Sequence, residues 1–188
     1  MLQIVGVALG LLYLYLEYRA NIWLWVVGAV MPVVHGLLYF NSGLYADATM
    51  QLYYVAAGIY GLVVWRRAPK TKDDGIIKHT PRGWIVRLVA VYALLHVAIY
   101  LFLTECTDSR VPLFDSMSTA LSIVAMWMLS RKLVEQWLVW LVVDMISVGL
   151  YIYKGIPITA ALYTLYCVLA VVGYMRWRRV ARELVVRA

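Results

Sequence analysis

Seven apolar runs, most of them close to the length that crosses a bilayer, divide this sequence and leave it few ways to fold. They cover residues 1–16, 22–40, 46–65, 83–103, 113–130, 134–153 and 157–176. About 20 apolar residues in helical conformation span the hydrocarbon core. A backbone inside that core must satisfy its own N–H and C=O groups, which a helix does. Polar signals interrupt the runs. Residues 17–21 are polar, Asn41-Ser42-Gly43 and Lys154-Gly155 are turn formers, and 66–82 is one long charged loop. Residues 104–112 are polar and end in a proline, and Arg131-Lys132 closes the fifth run. Hydrophobic residues make up 64% of the 188, more than a soluble domain of this length can hide. The expected fold is all-α, with seven transmembrane helices. The first run is expected to stay as a helix. It lacks a basic leader, and Glu17-Tyr18-Arg19 follows it in place of a small-residue cleavage site.

Seven spans put the termini on opposite sides, and the bases then fix the orientation. The side holding the C-terminus carries fifteen Lys and Arg residues, from Arg19 and Arg66 to Arg182 and Arg187, and the other side only Arg110 and Lys154. The N-terminus is therefore expected outside and the C-terminus in the cytoplasm. The net charge of +7 resides in loops and the tail, so it forms no stripe for nucleic acid. The two cysteines, Cys106 and Cys167, support neither a disulfide framework nor a zinc site. The sequence holds no phosphate-binding G-x-x-x-x-G-K-[ST], no H-E-x-x-H and no nucleophile elbow. No cofactor, no metal and no catalytic group is expected.

A shift of 112 residues aligns the first three runs with the last three without a gap. Trp25 then meets Trp137, Tyr39 meets Tyr151, Gly43 meets Gly155, and Tyr54 meets Tyr166. Gly61 meets Gly173, Trp65 meets Trp177, and Arg19 meets Arg131. Equivalent runs are an even number of spans apart, so the triplets share one topology and the fourth run inverts the chain between them. The domains expected are 1–65 and 113–177 as three-helix repeats, 66–112 as loop, linking helix and outer loop, and 178–188 as a basic tail. Such 3+1+3 parallel pseudo-repeats are a transporter design, with the site near the midplane between repeats. The arrangement is that of the SWEET sugar transporters, an analogy of fold that names no substrate.

The sixth run places Trp137, Trp140, Asp144, Ser147 and Tyr151 on one helical stripe, at spacings of 3, 4, 3 and 4. The equivalent stripe of the second run holds Trp25, Gly28, Pro32, His35 and Tyr39. The two are expected to face each other across a central path. Asp144 lies mid-span, where an ionised carboxylate facing lipid costs about 2.5–3.5 kcal/mol. It therefore serves either a ligand in an aqueous cavity or a helix-packing bond to a neighbouring Ser, Thr or His. Flanking indoles offer π faces to a cation. Pro32 is expected to kink its helix. His35 either relays protons or packs, whereas His96 of the fourth run is expected to pack. The third run adds Gln51 and Tyr54, with Gly58 and Gly61 for close helix approach. The seventh adds Tyr163 and Tyr166, which serve either a site or packing. Trp23, Trp65 and Trp177 lie near span ends, where belt tryptophans sit.

Several segments resemble the PnuC family of bacterial vitamin transporters. They are Leu121-Ser122-Ile123-Val124-Ala125-Met126, then 131–140 with its W-x-x-W of Trp137 and Trp140, then Ile146-Ser147. Gly43-Leu44-Tyr45 with Gln51 downstream, Ile59-Tyr60-Gly61 and Tyr153-Lys154-Gly155 fit the same pattern. The resemblance covers nearly the whole chain. It implies facilitated diffusion of a non-phosphorylated vitamin across the inner membrane, followed by trapping by a cytoplasmic kinase or pyrophosphokinase. Family members carry nicotinamide riboside, thiamine or riboflavin. The nicotinamide riboside type has Asn where this chain has Asp144, and residues 16–19 and 28–32 look more like the thiamine type. The resemblance thus implies thiamine as substrate, with nicotinamide riboside as the alternative. Small helical transporters of this kind often associate, so a homo-oligomer such as a trimer is expected in the lipid. An integral membrane enzyme using Asp144 and His35, and a non-transporting receptor, are the readings from other classes.

Overall fold

The structure, a computed structural model, describes residues 2–41, 45–67, 77–107, 111–153 and 155–186. Within these, the side chains of 2–7, 31, 35, 38, 39, 45–50 and 184–186 are not described. Among the described residues seven helices follow one another: α1 (Leu2–Tyr18), α2 (Trp23–Asn41), α3 (Tyr45–Arg67), α4 (Arg82–Cys106), α5 (Pro112–Ser130), α6 (Gln136–Tyr153) and α7 (Pro157–Val186). Each matches one apolar run of the sequence. Among the described residues, four helical stretches are long and apolar enough to cross a membrane: Arg82–Cys106, Pro112–Ser130, Gln136–Tyr153 and Pro157–Glu183.

Local chemistry sets the helix ends. The Asn21 side chain caps α2 by accepting a bond from the Trp23 N–H at 3.0 Å. Prolines stand at the start of α5 and α7 and just before α4, where the missing N–H costs nothing. Gly155, at φ +70°, ends α6. The Gly155 and Ile156 N–H groups return to the Ile152 and Tyr151 carbonyls at 3.0 and 2.9 Å. Pro32 lies inside α2, which stays helical through it.

The chain forms two compact units, Met1–Gly75 and Ile76–Ala188. In the first, α2 packs on α1 and on α3. In the second, α6 packs on α5 and on α7, and α4 packs on α5. The 112-residue repeat reappears in bond-by-bond detail. The turn from α1 to α2 pivots on Ala20 at φ 50°, and the turn from α5 to α6 on its equivalent Lys132 at φ 54°. Ala20 N–H donates to Glu17 O at 2.8 Å, and Lys132 N–H to Leu129 O at 2.9 Å. Asn21 N–H donates to Leu16 O at 2.8 Å, and Leu133 N–H to Met128 O at 3.0 Å.

The helix pairs repeat as well. Trp25 meets Trp65 edge to face at 5.6 Å and 88°, and Trp137 meets Trp177 at 5.8 Å and 86°. A side-chain carbon at Gly61 would overlap the Trp25 ring, and one at Gly173 would lie 2.6 Å from the Trp137 ring. Each glycine thus makes the hollow that an indole fills. Trp65 and Trp177 are buried in these contacts, so the expectation of belt residues is corrected for both. Trp23 is exposed, as a belt residue would be.

Segment 77–80 ties the second unit together at its basic end. Lys78 pairs with the α5–α6 turn, donating to Lys132 O at 3.1 Å and accepting from Val134 N–H at 2.9 Å. Glu135 then takes both ends of the next two residues. Its Oε1 lies 2.7 Å from His79 Nδ1, and its Oε2 accepts from the Thr80 N–H and hydroxyl, each at 2.7 Å. Burial raises the Glu135 carboxyl, but the bonds from His79 and Thr80 outweigh it, and the net effect holds it below the ordinary carboxylate value.

Candidate functional site

Asp144 is buried near the middle of α6, among the few polar groups enclosed by the second unit. No hydrogen bond reaches its carboxylate from the described residues, so no Ser, Thr or His bond of the packing kind is seen there. Ser147, one turn on, spends its hydroxyl on the Val143 carbonyl at 2.9 Å. One turn before Asp144 stands the half-buried Trp140, whose indole N–H is enclosed without a partner. An acid that accepts no hydrogen bond from the described residues and an enclosed indole N–H thus share one face of one helix, and the buried Trp25 and Trp137 N–H groups are likewise without partners. Buried polar groups nearly always find partners, so such a pair points to a ligand or water.

The α7 side of this unit supplies aromatic hydroxyls. Tyr151 and Tyr163 stack at 5.2 Å with 21° between planes. Tyr166 meets Tyr163 edge to face at 5.6 Å. The Asp144 carboxylate lies within electrostatic reach of the Tyr163 and Tyr166 hydroxyls and of the Cys167 thiol. Neither α6 nor α7 up to Met175 contains a Lys or Arg. The region is an acid with an aromatic surround and no balancing base on its own two helices. Its chemistry suits a cation with a flat ring.

The predicted stripe residues separate into two kinds. Asp144, Tyr151, Tyr163 and Tyr166 come together along the α6–α7 pair, and Trp140 and Ser147 stand on the same stripe of α6. Trp137 shares their stripe but is only 1% exposed, wedged against Gly173 and Trp177. Its equivalent Trp25 is 2% exposed against Gly61 and Trp65. Both rings pack helices in this structure. In the first unit, Gln51 packs closely on α2, since a side-chain carbon at Gly36 would lie 3.3 Å from its Cβ. Tyr54 is half-buried and its ring lies 5.4 Å from that of Tyr53. The side chains of His35 and Tyr39 lie outside the described residues. His96 packs as expected, 3.1 Å from the Ser116 hydroxyl and stacked on Tyr92 at 5.7 Å.

Three residues that sequence reasoning passed over have clear places. Glu135 is the acid that fastens segment 77–80. Glu17, read as part of a polar break, is 1% exposed. Its repeat equivalent Leu129 is fully buried, a signal that the sequence alignment already carried. Tyr13 fills the space left by Gly28, where a side-chain carbon would lie 2.8 Å from its ring. The equivalents are Ala125 and Trp140, so large and small residues trade places between the repeats. The trade puts an indole in the second repeat where the first has only hydrogen.

Residues 1–179 match the family described as nicotinamide mononucleotide transporter. The nicotinamide riboside transporter PnuC of Escherichia coli is 29% identical, the alignment covering 97% of this chain and 87% of that protein. The riboflavin/roseoflavin transporter RibM of Streptomyces davaonensis is 31% identical, over 93% of this chain and 83% of that protein. The crystal structure of the vitamin B3 transporter PnuC aligns with a TM-score of 0.72 at 22% identity, over 95% of this chain and 81% of that one, and so shares its fold.

Proposed function

Since the chain belongs to the nicotinamide mononucleotide transporter family, whose members are vitamin transporters and not enzymes, we propose that it carries nicotinamide riboside into the cell. The reading is uptake of the unphosphorylated nucleoside across the inner membrane by facilitated diffusion. A cytoplasmic kinase acting on the ribose hydroxymethyl group then traps it. All seven helices cross the membrane in a SWEET-like 3+1+3 order, with the N-terminus outside and the basic C-terminus inside.

The observation that carries the reading is the buried Asp144, which accepts no hydrogen bond from the described residues, one turn from the Trp140 indole N–H, which is enclosed without a partner. Nicotinamide riboside holds a permanent pyridinium charge on a flat ring and neutral hydroxyls on its sugar. The Asp144 carboxylate balances the pyridinium, the Trp140 ring offers it a π face, and the indole N–H meets a substrate oxygen. The same acid disfavours a phosphate, with no Lys or Arg on α6 or on α7 before Arg176 to offset it. The nucleoside therefore suits the site better than the mononucleotide. Thiamine, expected from Asp144 standing in place of Asn, gives way. The E. coli and Streptomyces relatives carry nicotinamide riboside and riboflavin by name, and a pyridinium answers the carboxylate as well as a thiazolium does.

Tryptophan fluorescence of the purified protein, titrated with nicotinamide riboside, thiamine and riboflavin in parallel, tests the choice. Saturable binding of nicotinamide riboside at concentrations where the other two are silent is expected. Saturation by riboflavin alone would shift the assignment toward the Streptomyces relative. Saturation by thiamine alone would restore the substrate that Asp144 first implied.

A further inference from the structure

We propose that the groove between α4 and α5 at the basic end of the protein binds an anionic glycerophospholipid, a site separate from the transport path. No described residue of α4 is buried, and Val86 and Leu94 are 74% and 72% exposed. Between α4 and α5 lies a groove of about 420 Å³. Leu88, Val91 and Ile123 line its apolar length, and Trp84, Trp127 and Arg87 line it at the basic end. The Trp84 and Trp127 rings meet at 5.4 Å, and the Arg131 guanidinium carbon sits 5.6 Å from the centre of the Trp127 ring. Indoles of this kind mark the depth of lipid headgroups.

Arg87 decides the chemistry. It lies five residues inside α4, roughly 7.5 Å along the axis at 1.5 Å per residue. It is exposed on an otherwise apolar stretch of helix. A cation at that depth either reaches back to the interface or takes a counter-anion. Arg131 does not line the groove but stands over Trp127, which does, so Arg87 within it and Arg131 beside it put two guanidinium groups at the end of a channel suited to an acyl chain. A phosphodiester with no compensating ammonium meets both, and basic pockets between helices on the cytoplasmic side hold such lipids.

A second groove gives an internal comparison. It measures about 330 Å³ and shares Leu88 and Val124 with the first, but it ends at Glu135 and Thr80. The apolar walls alone would make both grooves equivalent. The sign of charge at the mouth separates them, and it favours an anion only in the first.

The test is native mass spectrometry of the delipidated full-length protein, titrated with phosphatidylglycerol and phosphatidylcholine of identical acyl chains. One phosphatidylglycerol per chain should bind at least about tenfold more tightly than phosphatidylcholine, the order expected of two cations meeting one phosphate. R87Q and the double variant R87Q/R131Q should remove the preference. V91W, which fills the groove and keeps both charges, should remove binding itself. Circular dichroism and elution volume establish that each variant is folded, and R87Q carries the test should the double variant misfold. Equal retention of both lipids by the unaltered protein would overturn the proposal, as would an undiminished preference in folded R87Q. Displacement of the lipid by an equal concentration of glycerol 3-phosphate would also overturn it, because the groove would then contribute nothing.

Discussion

Asp144 and Trp137 occupy the same stripe of α6, seven residues apart, and the structure surrounds them differently. Stripe membership follows from spacing, but what a stripe faces along its length depends on neighbours that spacing does not contain. Trp137 meets Gly173, whose missing side chain makes the hollow for its ring. That pairing was present in the repeat alignment, since Trp25 with Gly61 is its copy, yet it needed the α6–α7 contact to acquire a meaning. At Asp144 no neighbour among the described residues answers the carboxylate, and the functional reading rests there. Asp144→Asn removes the charge and keeps the volume. It should weaken nicotinamide riboside binding roughly ten- to a hundredfold, the range for a charge-assisted contact. It should leave the affinity of any neutral flavin unchanged. Isothermal titration of both proteins with both ligands reads the difference, and equal affinities for nicotinamide riboside would assign Asp144 to structure. Gly173→Leu should destabilise the protein by about 1–3 kcal/mol through overlap with Trp137. Its melting temperature in detergent should fall, whereas Gly149→Ala, in open space, should leave it close to the unaltered value.

The helices were the most legible elements, because each apolar run is long, unbroken and bounded by turn chemistry that the structure uses. Asn21, Pro112, Pro157 and Gly155 all do at the helix ends what their side chains and backbones favour. The 112-residue shift also pairs the two non-glycine residues at positive φ among the described residues, Ala20 and Lys132, which residue identity alone did not pair. What the sequence kept hidden was the fastening of segment 77–80 onto the α5–α6 turn. Its partners are 55 and 56 residues apart in the chain, and no periodicity links Thr80 to Glu135. Glu135→Ala should therefore lower the melting temperature by the equivalent of about 1–3 kcal/mol while nicotinamide riboside affinity stays within about twofold, a margin set by the distance of the clamp from Asp144. The pH dependence follows from the sign of the shift. The folded-state carboxyl is held below its ordinary value of 4.5, so the clamp contributes fully above that pH and is lost as pH falls through the lower folded value. Thermal melts from pH 7 down to pH 3 should show the difference between the unaltered protein and Glu135→Ala shrink only at the acid end.

At the scale of the whole molecule, two compact units carry the same turn, the same indole pair and the same glycine, and the second buries Asp144 near the middle of α6. Position 32 is Pro where position 144 is Asp, and position 28 is Gly where position 140 is Trp. The repeats thus share a frame and differ at the residues assigned to the ligand, as expected of a duplicated scaffold serving an asymmetric molecule. The central claim is that this chain alone lets nicotinamide riboside cross a membrane down its gradient. Flux of labelled nicotinamide riboside into proteoliposomes containing only this protein tests it most directly. The account predicts saturable entry that stops when inside and outside concentrations are equal, with the label recovered as unchanged nicotinamide riboside. Entry no faster than into protein-free liposomes, or entry of thiamine in its place, would contradict it.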